Sequence, residues 1–213
     1  MLTPDQIDRV VTGREDDPFA TLGVHPASKG FTACVMLPDA TGVTALTLEG
    51  KAVGQLACIH PDGLFFGKVS VKKRQPLRYI AHYSDSSDYA LVDPYGYGPV
   101  LGPMDDHYFA EGSHGRLFDK MGAHVIHHEG MDGTHFAVWA PNALRVSVVG
   151  DFNRWDGRRG LMRRRTDAGI WEIFLPEVGE GSAYKFEIIG ANGDLLPLKS
   201  DPFAFQAELR PST

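Results

Sequence analysis

The sequence predicts an all-β protein, two tandem β-sandwiches with a short N-terminal helix in front. Three observations carry that prediction. Apolar residues come in strand-length runs bounded by Gly, Pro and Asp. The same landmarks occur twice in the same order. And 213 residues divide naturally into two units of about a hundred, near the usual domain size.

The helix comes first. Thr3 can cap it, Pro4 suits its first turn, and Ile7, Val10 and Val11 fall at helical spacing before Gly13 ends the pattern. Strand texture follows in "FTACVMLPDATG" (31–42), "VTALTLEG" (43–50), "LFFGKVSV" (64–71) and "LRYIAHY" (77–83). The Gly- and Pro-rich stretch "DPYGYGPVLGPMDD" (93–106) closes this half, and a bridge carries a helical turn around Leu117 to Met121. Strands return in "THFAVWAPNA" (134–143), "RVSVVG" (145–150), "GIWEIFLP" (169–176) and "AYKFEIIG" (183–190).

Laid side by side, the halves repeat. Pro38-Asp39-Ala40 matches Pro141-Asn142-Ala143, and Gly63-Leu64-Phe65 matches Gly169-Ile170-Trp171. Leu77-Arg78-Tyr79 pairs with Ala183-Tyr184, and Asp93-Pro94-Tyr95-Gly96-Tyr97 with Asp201-Pro202-Phe203-Ala204-Phe205. The offset drifts only from 103 to 108 residues, so the order is that of a duplication. Each copy has the size of an immunoglobulin-like sandwich, without the Cys…Trp…Cys signature of antibody domains. The expected domains are 1–112 and 113–213, the second ending in a linker at "ELRPST".

Composition narrows the function. Hydrophobic residues at 43% and charged ones at 23% describe a chain able to bury a core. No apolar run reaches the roughly 18 residues of a membrane span, and the N-terminus lacks the pattern of a signal peptide. Cys34 and Cys58 read as reduced core residues of a cytoplasmic protein. A net charge of −6 argues against a broad nucleic-acid surface. There is no phosphate loop, no GxSxG, no HExxH and no cysteine pair at zinc spacing, and the carboxylates fall in turns. No catalytic residue, cofactor or metal is assigned.

Three clusters remain. His124, His127, His128 and His135 have no recognisable ligand register and read as hydrogen-bonded or solvated rings. Arg154, Arg158, Arg159, Arg163, Arg164 and Arg165 crowd around Trp155, suiting a docking surface or the rim of a sugar site. Among the tryptophans, Trp139 and Trp171 lie in strand patterns and read as core or interface, with Trp171, Ile173 and Leu175 sharing one face. Trp155, in "VVGDFNRWDG", sits in a polar loop instead. An exposed indole can stack on the apolar C–H face of a glucose ring, with Asn153 and Lys185 as candidate donors to its hydroxyls.

The segments "DPFATLGVHP", "WAPNALRVSVVGDFNRWDGR", "GIWEIFLPE", "YKFEI" and "LKSDPFAFQAELRP" resemble the N-terminal portion of bacterial 1,4-α-glucan branching enzymes of glycogen synthesis. The resemblance covers essentially the whole chain, an extra N-terminal sandwich followed by a family 48 carbohydrate-binding module. "GDFNRW" and "YKF" are shared more widely, with debranching enzymes and the glycogen-binding subunit of AMP-activated kinase. It implies that Trp155 and Lys185 correspond to the glucan-binding Trp and Lys of the kinase module. It also implies that the catalytic (β/α)₈ barrel follows beyond this chain, which alone would catalyse nothing. The kinase module's second stacking Trp has no aromatic counterpart in "GANGDLLPLKSDP", and no Trp occurs around Gly50 to Gly54 of the first copy. Two roles stay open: an α-glucan site on the second module, for glycogen or malto-oligosaccharide, or a scaffold whose Trp155 and arginines dock onto the barrel.

Overall fold

The computed structural model describes residues 2–15, 17–165 and 168–207; the linker expected at 208–213 lies outside the described residues. Helix α1 (Pro4–Val11) starts as the sequence dictates. The Gln6 N–H donates to Thr3 Oγ1 and the Thr3 N–H to Gln6 Oε1, a reciprocal cap, and Val10 and Val11 are buried. A second short helix, α2 (Pro18–Thr21), is capped by Asp17 and buries Phe19.

The first copy is one curled antiparallel sheet. Its strands are β1 (Gly23–Pro26), β2 (Phe31–Met36), β3 (Gly42–Leu46), β4 (Ala52–His60), β5 (Leu64–Val69), β6 (Arg78–His82) and β7 (Asp88–Val92). They run in the order β1-β2-β5-β4-β3-β6-β7. Strand β4 makes the sheet fold over: residues 52–56 pair with β3, while 57–60 pair with β5. At the crossing the backbones approach closely. A Cβ on Gly54 would stand 2.5 Å from the Lys68 carbonyl, and one on Gly67 2.9 Å from that of Gln55. The enclosed core holds Val35, Leu37, Val43, Leu56, Phe65 and Tyr79.

The second copy faces two layers against each other. One is β11 (Arg163–Arg165), β12 (Ile170–Pro176), β9 (Met131–Trp139) and β8 (Gly122–His128), in that order; the other pairs β10 (Arg145–Gly150) with β13 (Tyr184–Ile189). Phe136, Trp171 and Ile173 meet Val146, Val148 and Phe186 between them. Trp171, Ile173 and Leu175 share that buried face as their spacing predicted.

This core does not stop at the second copy. It continues through Leu161 and Met162 to Tyr95, α1, α2, Leu64, and Cys34 and Met36 of β2. Strand β2 is therefore buried on both faces, Ala33 and Val35 in one core, Cys34 and Met36 in the other. A near-continuous apolar run such as "FTACVM" is what such a strand requires.

The duplicated landmarks make the same contact twice. Asp93 accepts the Tyr95 N–H (3.0 Å) and the Tyr79 hydroxyl (3.3 Å). Asp201 accepts the Phe203 N–H (2.8 Å) and the Tyr184 hydroxyl (2.5 Å).

Three expectations are corrected. Residues 103–111 form helix α3 (Pro103–Glu111), with the Gly102 N–H donating to Asp105 at one end and left-handed Gly112 at the other. It lacks an apolar stripe, so only its caps mark it. Cys58 is exposed, not in the core, because it lies in the uncovered end of β4, where Ala57, Cys58 and Ile59 are all exposed. Trp139, read as core or interface, ends β9 with 65% of its surface exposed and is not in the core, because alternation turns it, like Ala137 and its partner Ile170, to the face of the sheet away from β10 and β13.

Candidate functional site

The loop carrying Trp155 is built from the end of β10. Gly150 is fully extended, and a Cβ there would stand 2.5 Å from the Ala183 carbonyl, so no other residue fits. A 3₁₀ turn, Asp151–Asn153, follows. Arg154 and Trp155 then both adopt left-handed backbone, φ 59° and 57°. Two consecutive non-glycine residues there cost on the order of 1 kcal/mol each and persist only where neighbours hold them.

The holding contacts are explicit. The Trp155 N–H donates to the Gly150 carbonyl (2.9 Å), and the indole Nε1 donates to Asp151 Oδ1 (2.8 Å). Asn153 sits beneath: its Oδ1 accepts the Gly150 N–H (3.0 Å) and its Nδ2 donates to the Val148 carbonyl (2.8 Å). Asn153 is buried, so its amide faces the backbone of the turn and not the solvent side expected of a sugar donor. Trp155 keeps 38% of its surface exposed. Lys185 lies opposite Val149 in the β10–β13 ladder. Because neighbouring Phe186 enters the core, alternation puts half-buried Lys185 on the other face, with Glu187. The turn Gly157–Arg159 folds onto that face, with Gly157 tight against Glu187.

The arginines are tied down by partners, Arg158, Arg159, Arg163 and Arg165 half-buried and Arg154 and Arg164 exposed. Arg154 stacks 4.5 Å from the Tyr83 ring and 5.5 Å from that of Tyr89. Arg159 donates to the Pro38 carbonyl (2.9 Å) and the Tyr83 hydroxyl (3.3 Å). Arg163 lies 3.7 Å over Phe19 and donates to the Tyr97 carbonyl. Arg165 pairs with Asp106 on α3 and with Glu172 on β12. Arg158 is held by Asp156 (2.8 Å), and Arg164 bonds the Pro141 carbonyl. Burial would raise the Asp156 carboxyl, but the hydrogen bonds and charge of Arg158 outweigh it and hold Asp156 below its ordinary value. Four of these side chains thus bind the first copy and α3.

A second joint binds the same halves. Glu172, 1% exposed, accepts the N–H groups of Val100 and Leu101 and pairs with His135 and Arg165. Burial pulls its carboxyl up, and these contacts bring it below its ordinary value. The other histidines have their own partners: His124 the Met121 carbonyl, His127 Asp132, His128 the Gly98 carbonyl. Among the described residues, no group of three or more His, Cys, Asp or Glu is arranged to hold a metal ion. None of their helices is long and apolar enough to cross a membrane.

Sequence reasoning brought Trp155, Lys185 and Asn153 to one corner of the second copy but missed Asp151, the acceptor that fixes the indole. Its place four residues before Trp155 was the available signal. Tyr83 and Tyr89, which floor the arginines, lie some seventy residues away and carried no signal.

A sandwich with a clamped, exposed indole on its β10–β11 connection has the features of a carbohydrate-binding module. Residues 120–204 match Carbohydrate-binding module 48 (Isoamylase N-terminal domain), and residues 3–95 match the alpha-1,4-glucan branching enzyme GlgB N-terminal domain. The chain is 63% identical over 96% of its length to the 1,4-alpha-glucan branching enzyme GlgB of Mesorhizobium japonicum. It is 59% identical over its full length to GlgB 1 of Rhizobium johnstonii, and 46% identical over 97% to GlgB of Roseobacter denitrificans. The chain belongs to the 1,4-α-glucan branching enzyme family, as its N-terminal region. It spans 28% of the Mesorhizobium relative and 29% of the Rhizobium one. A maltotriose complex of a Klebsiella pneumoniae pullulanase variant aligns with 85% of this chain and 23% of its own at 18% identity and a TM-score of 0.35, too distant to bear on function.

Proposed function

We propose that this chain is the cytoplasmic accessory region that holds an α-1,4-glucan, in glycogen or malto-oligosaccharide, for a branching enzyme whose catalytic part follows it. That enzyme would transfer α-1,4 chains into α-1,6 branches, and this region would raise the local concentration of glucan. Trp155 stacks on the apolar face of a glucose unit, Lys185 bonds its hydroxyls, and Asn153 and Asp151 position the platform. The observation that supports this reading best is the immobilised indole: half-exposed, left-handed in backbone and bonded to Asp151. A platform fixed before binding loses little entropy on binding. With one stacking face the affinity for a short oligosaccharide is weak, and retention depends on the many ends and strands of a polymer.

Affinity electrophoresis in gels with and without glycogen tests this. Glycogen should retard the chain, Trp155→Ala should abolish the retardation, and Asp151→Asn should reduce it. A Trp155→Ala protein that remains folded and is retarded like the parent would overturn the reading. The scaffold reading has its own support, an unpartnered apolar surface away from Trp155.

A further inference from the structure

Between the two copies runs a groove that neither makes alone. Strand β7 is the last strand of the first copy's sheet. Its ladder with β6 is bracketed by two bonds, the Tyr83 N–H to the Ser87 carbonyl (3.0 Å) and the Asp93 N–H to the Leu77 carbonyl (2.8 Å). Hydrogen-bonded pairs alternate along an antiparallel ladder, so Tyr89 and Leu91 bond β6, while Ala90 and Val92 turn their N–H and C=O groups to the free edge. A groove of about 200 Å³ touches all four of these residues. A groove over one face of a strand would meet alternate residues only, so this one follows the edge. The second copy lines it with Pro176 and Glu177.

The turn that carries Trp155 reaches the same place. Phe152 and Asn153 line the groove beside Arg159, and the Tyr89 hydroxyl donates to the Phe152 carbonyl (2.5 Å). The Arg159 side chain is only 6% exposed. Its Nη2 donates to the Pro38 carbonyl and the Tyr83 hydroxyl, but its Nε and Nη1 have no hydrogen-bond partner among the described residues. Unused donors on a buried cation are costly, and a ligand that accepts from them relieves the cost. Glu177 has left-handed backbone, φ 61°, and reaches across the seam to Arg78 (2.5 and 3.2 Å) with its side chain still 47% exposed. The groove thus joins guanidinium donors, a free strand edge and a carboxylate. An anion would meet the Glu177 carboxylate, and Asp156, 3.9 Å from Arg159 Nε, already balances that cation. Neutral hydroxyls, which both donate and accept, match the set. Phe152 and Pro176 add apolar surface for the C–H groups of a sugar ring.

We infer that this groove is a second α-glucan subsite, where further glucose units of the polymer held at Trp155 are bonded by the β7 edge at Ala90, by Arg159 and by Glu177. The inference rests on the reading of Trp155 as a glucan platform and deepens it by giving the first copy a share in binding. The missing second aromatic of the later hairpin is then offset by polar contacts from the neighbouring copy. Two weak subsites on one polymer retain it better than either does, because the second engages at the high local concentration the first creates.

The test is Ala90→Pro, which removes the free-edge N–H and sets the proline ring against the groove, while Tyr89 and Leu91 keep the ladder to β6. Its melting temperature should match the parent's, and its retardation by glycogen should fall several-fold. A second measurement needs no substitution: in an NMR titration with maltoheptaose, the Ala90 and Glu177 amides should shift together with the Trp155 indole N–H. In Trp155→Ala the two groove amides should still shift, at several-fold higher sugar concentration. A folded Ala90→Pro protein retarded like the parent overturns the inference, and so do groove amides that stay still while the indole shifts; in both cases the Trp155 platform stands. Inorganic phosphate that shifts these amides where maltoheptaose does not would make the groove an anion site and equally overturn it. Groove amides that shift while the indole does not would uphold the groove, and the Trp155 reading would fail instead.

Discussion

Asp93 and Asp201 occupy the same place in two copies of one design, and they live in different worlds. Each carboxylate bends the chain back by accepting the N–H two residues on, and each is tied to a tyrosine on a strand of its own sandwich. These bonds are local, so the repeated sequence reproduces them wherever the copy sits. What lies above is not local. Asp93 is completely buried beneath a module that contributes Leu161, Arg163 and Phe174 to the rings following it, while Asp201 keeps 8% of its surface and is followed by an uncovered Phe205. The repeat thus encodes the closure of each sandwich, and the neighbour sets the energetics of that closure.

The largest contrast should appear when the paired rings are removed. Tyr97→Ala deletes a side chain buried against Phe174 and His128, and such aromatic truncations cost about 3–5 kcal/mol. Phe205→Ala removes an exposed ring and should change stability by less than about 0.5 kcal/mol. Urea unfolding of both variants decides the matter. Equal losses would mean that the two ends are equivalent, and the seam between the copies would then contribute little.

The part of the molecule legible in the sequence is the part determined locally. The Thr3 cap, the alternation of "GIWEIFLP" and the Asp-Pro closures all depend on residues a few positions apart, and they appear as expected. Strand β4 was missed because its register slips between Ala52 and Gly54 and residues 57–59 are all exposed, so its apolar residues do not alternate. Helix α3 was missed because it packs through a single apolar residue, Phe109, and is tied down by Asp105 and Asp106, so no apolar stripe marks it. At the candidate site, the polar setting of Trp155 was readable, whereas the destination of the arginines was not. A guanidinium held by Tyr83 and Tyr89 has the same sequence signature as one facing solvent. Asn153 shows the same ambiguity on a smaller scale, since an amide in a loop can bond the turn or a ligand.

A pH series sharpens the comparison next. Burial, opposed by hydrogen bonds from the Tyr95 N–H and the Tyr79 hydroxyl and by the more distant charge of Arg74, pushes the Asp93 carboxyl up to about 7. Tyr79, Tyr95 and Cys34 also face it, and its charge helps keep each of them protonated. Its folded value lies above the ordinary 3.8, so the folded state binds the proton more tightly. Asp93 therefore favours folding most below pH 4, and that advantage is lost as pH rises to about 7, a change of a few kcal/mol at most. Asp93→Asn should flatten the fall in stability between pH 4 and pH 7, and Asp201→Asn should leave it in place. An unchanged slope in Asp93→Asn would show that another group controls it.

The last effect has the opposite sign. Among the described residues the Tyr97 hydroxyl is buried with no hydrogen-bond partner, whereas the matching position of the second copy carries phenylalanine. Burying an unpaired hydroxyl costs free energy that the ring's packing must offset. Tyr97→Phe keeps the ring against Phe174 and removes the unpaired oxygen, so it should stabilise the chain by roughly 0.5–1 kcal/mol. Unfolding midpoints of the two proteins, measured below pH 9, give the sign directly. A loss would mean that the hydroxyl finds an acceptor at the seam. The seam would then be held by polar contact as well as packing, and the two ends would differ in chemistry as well as in cover.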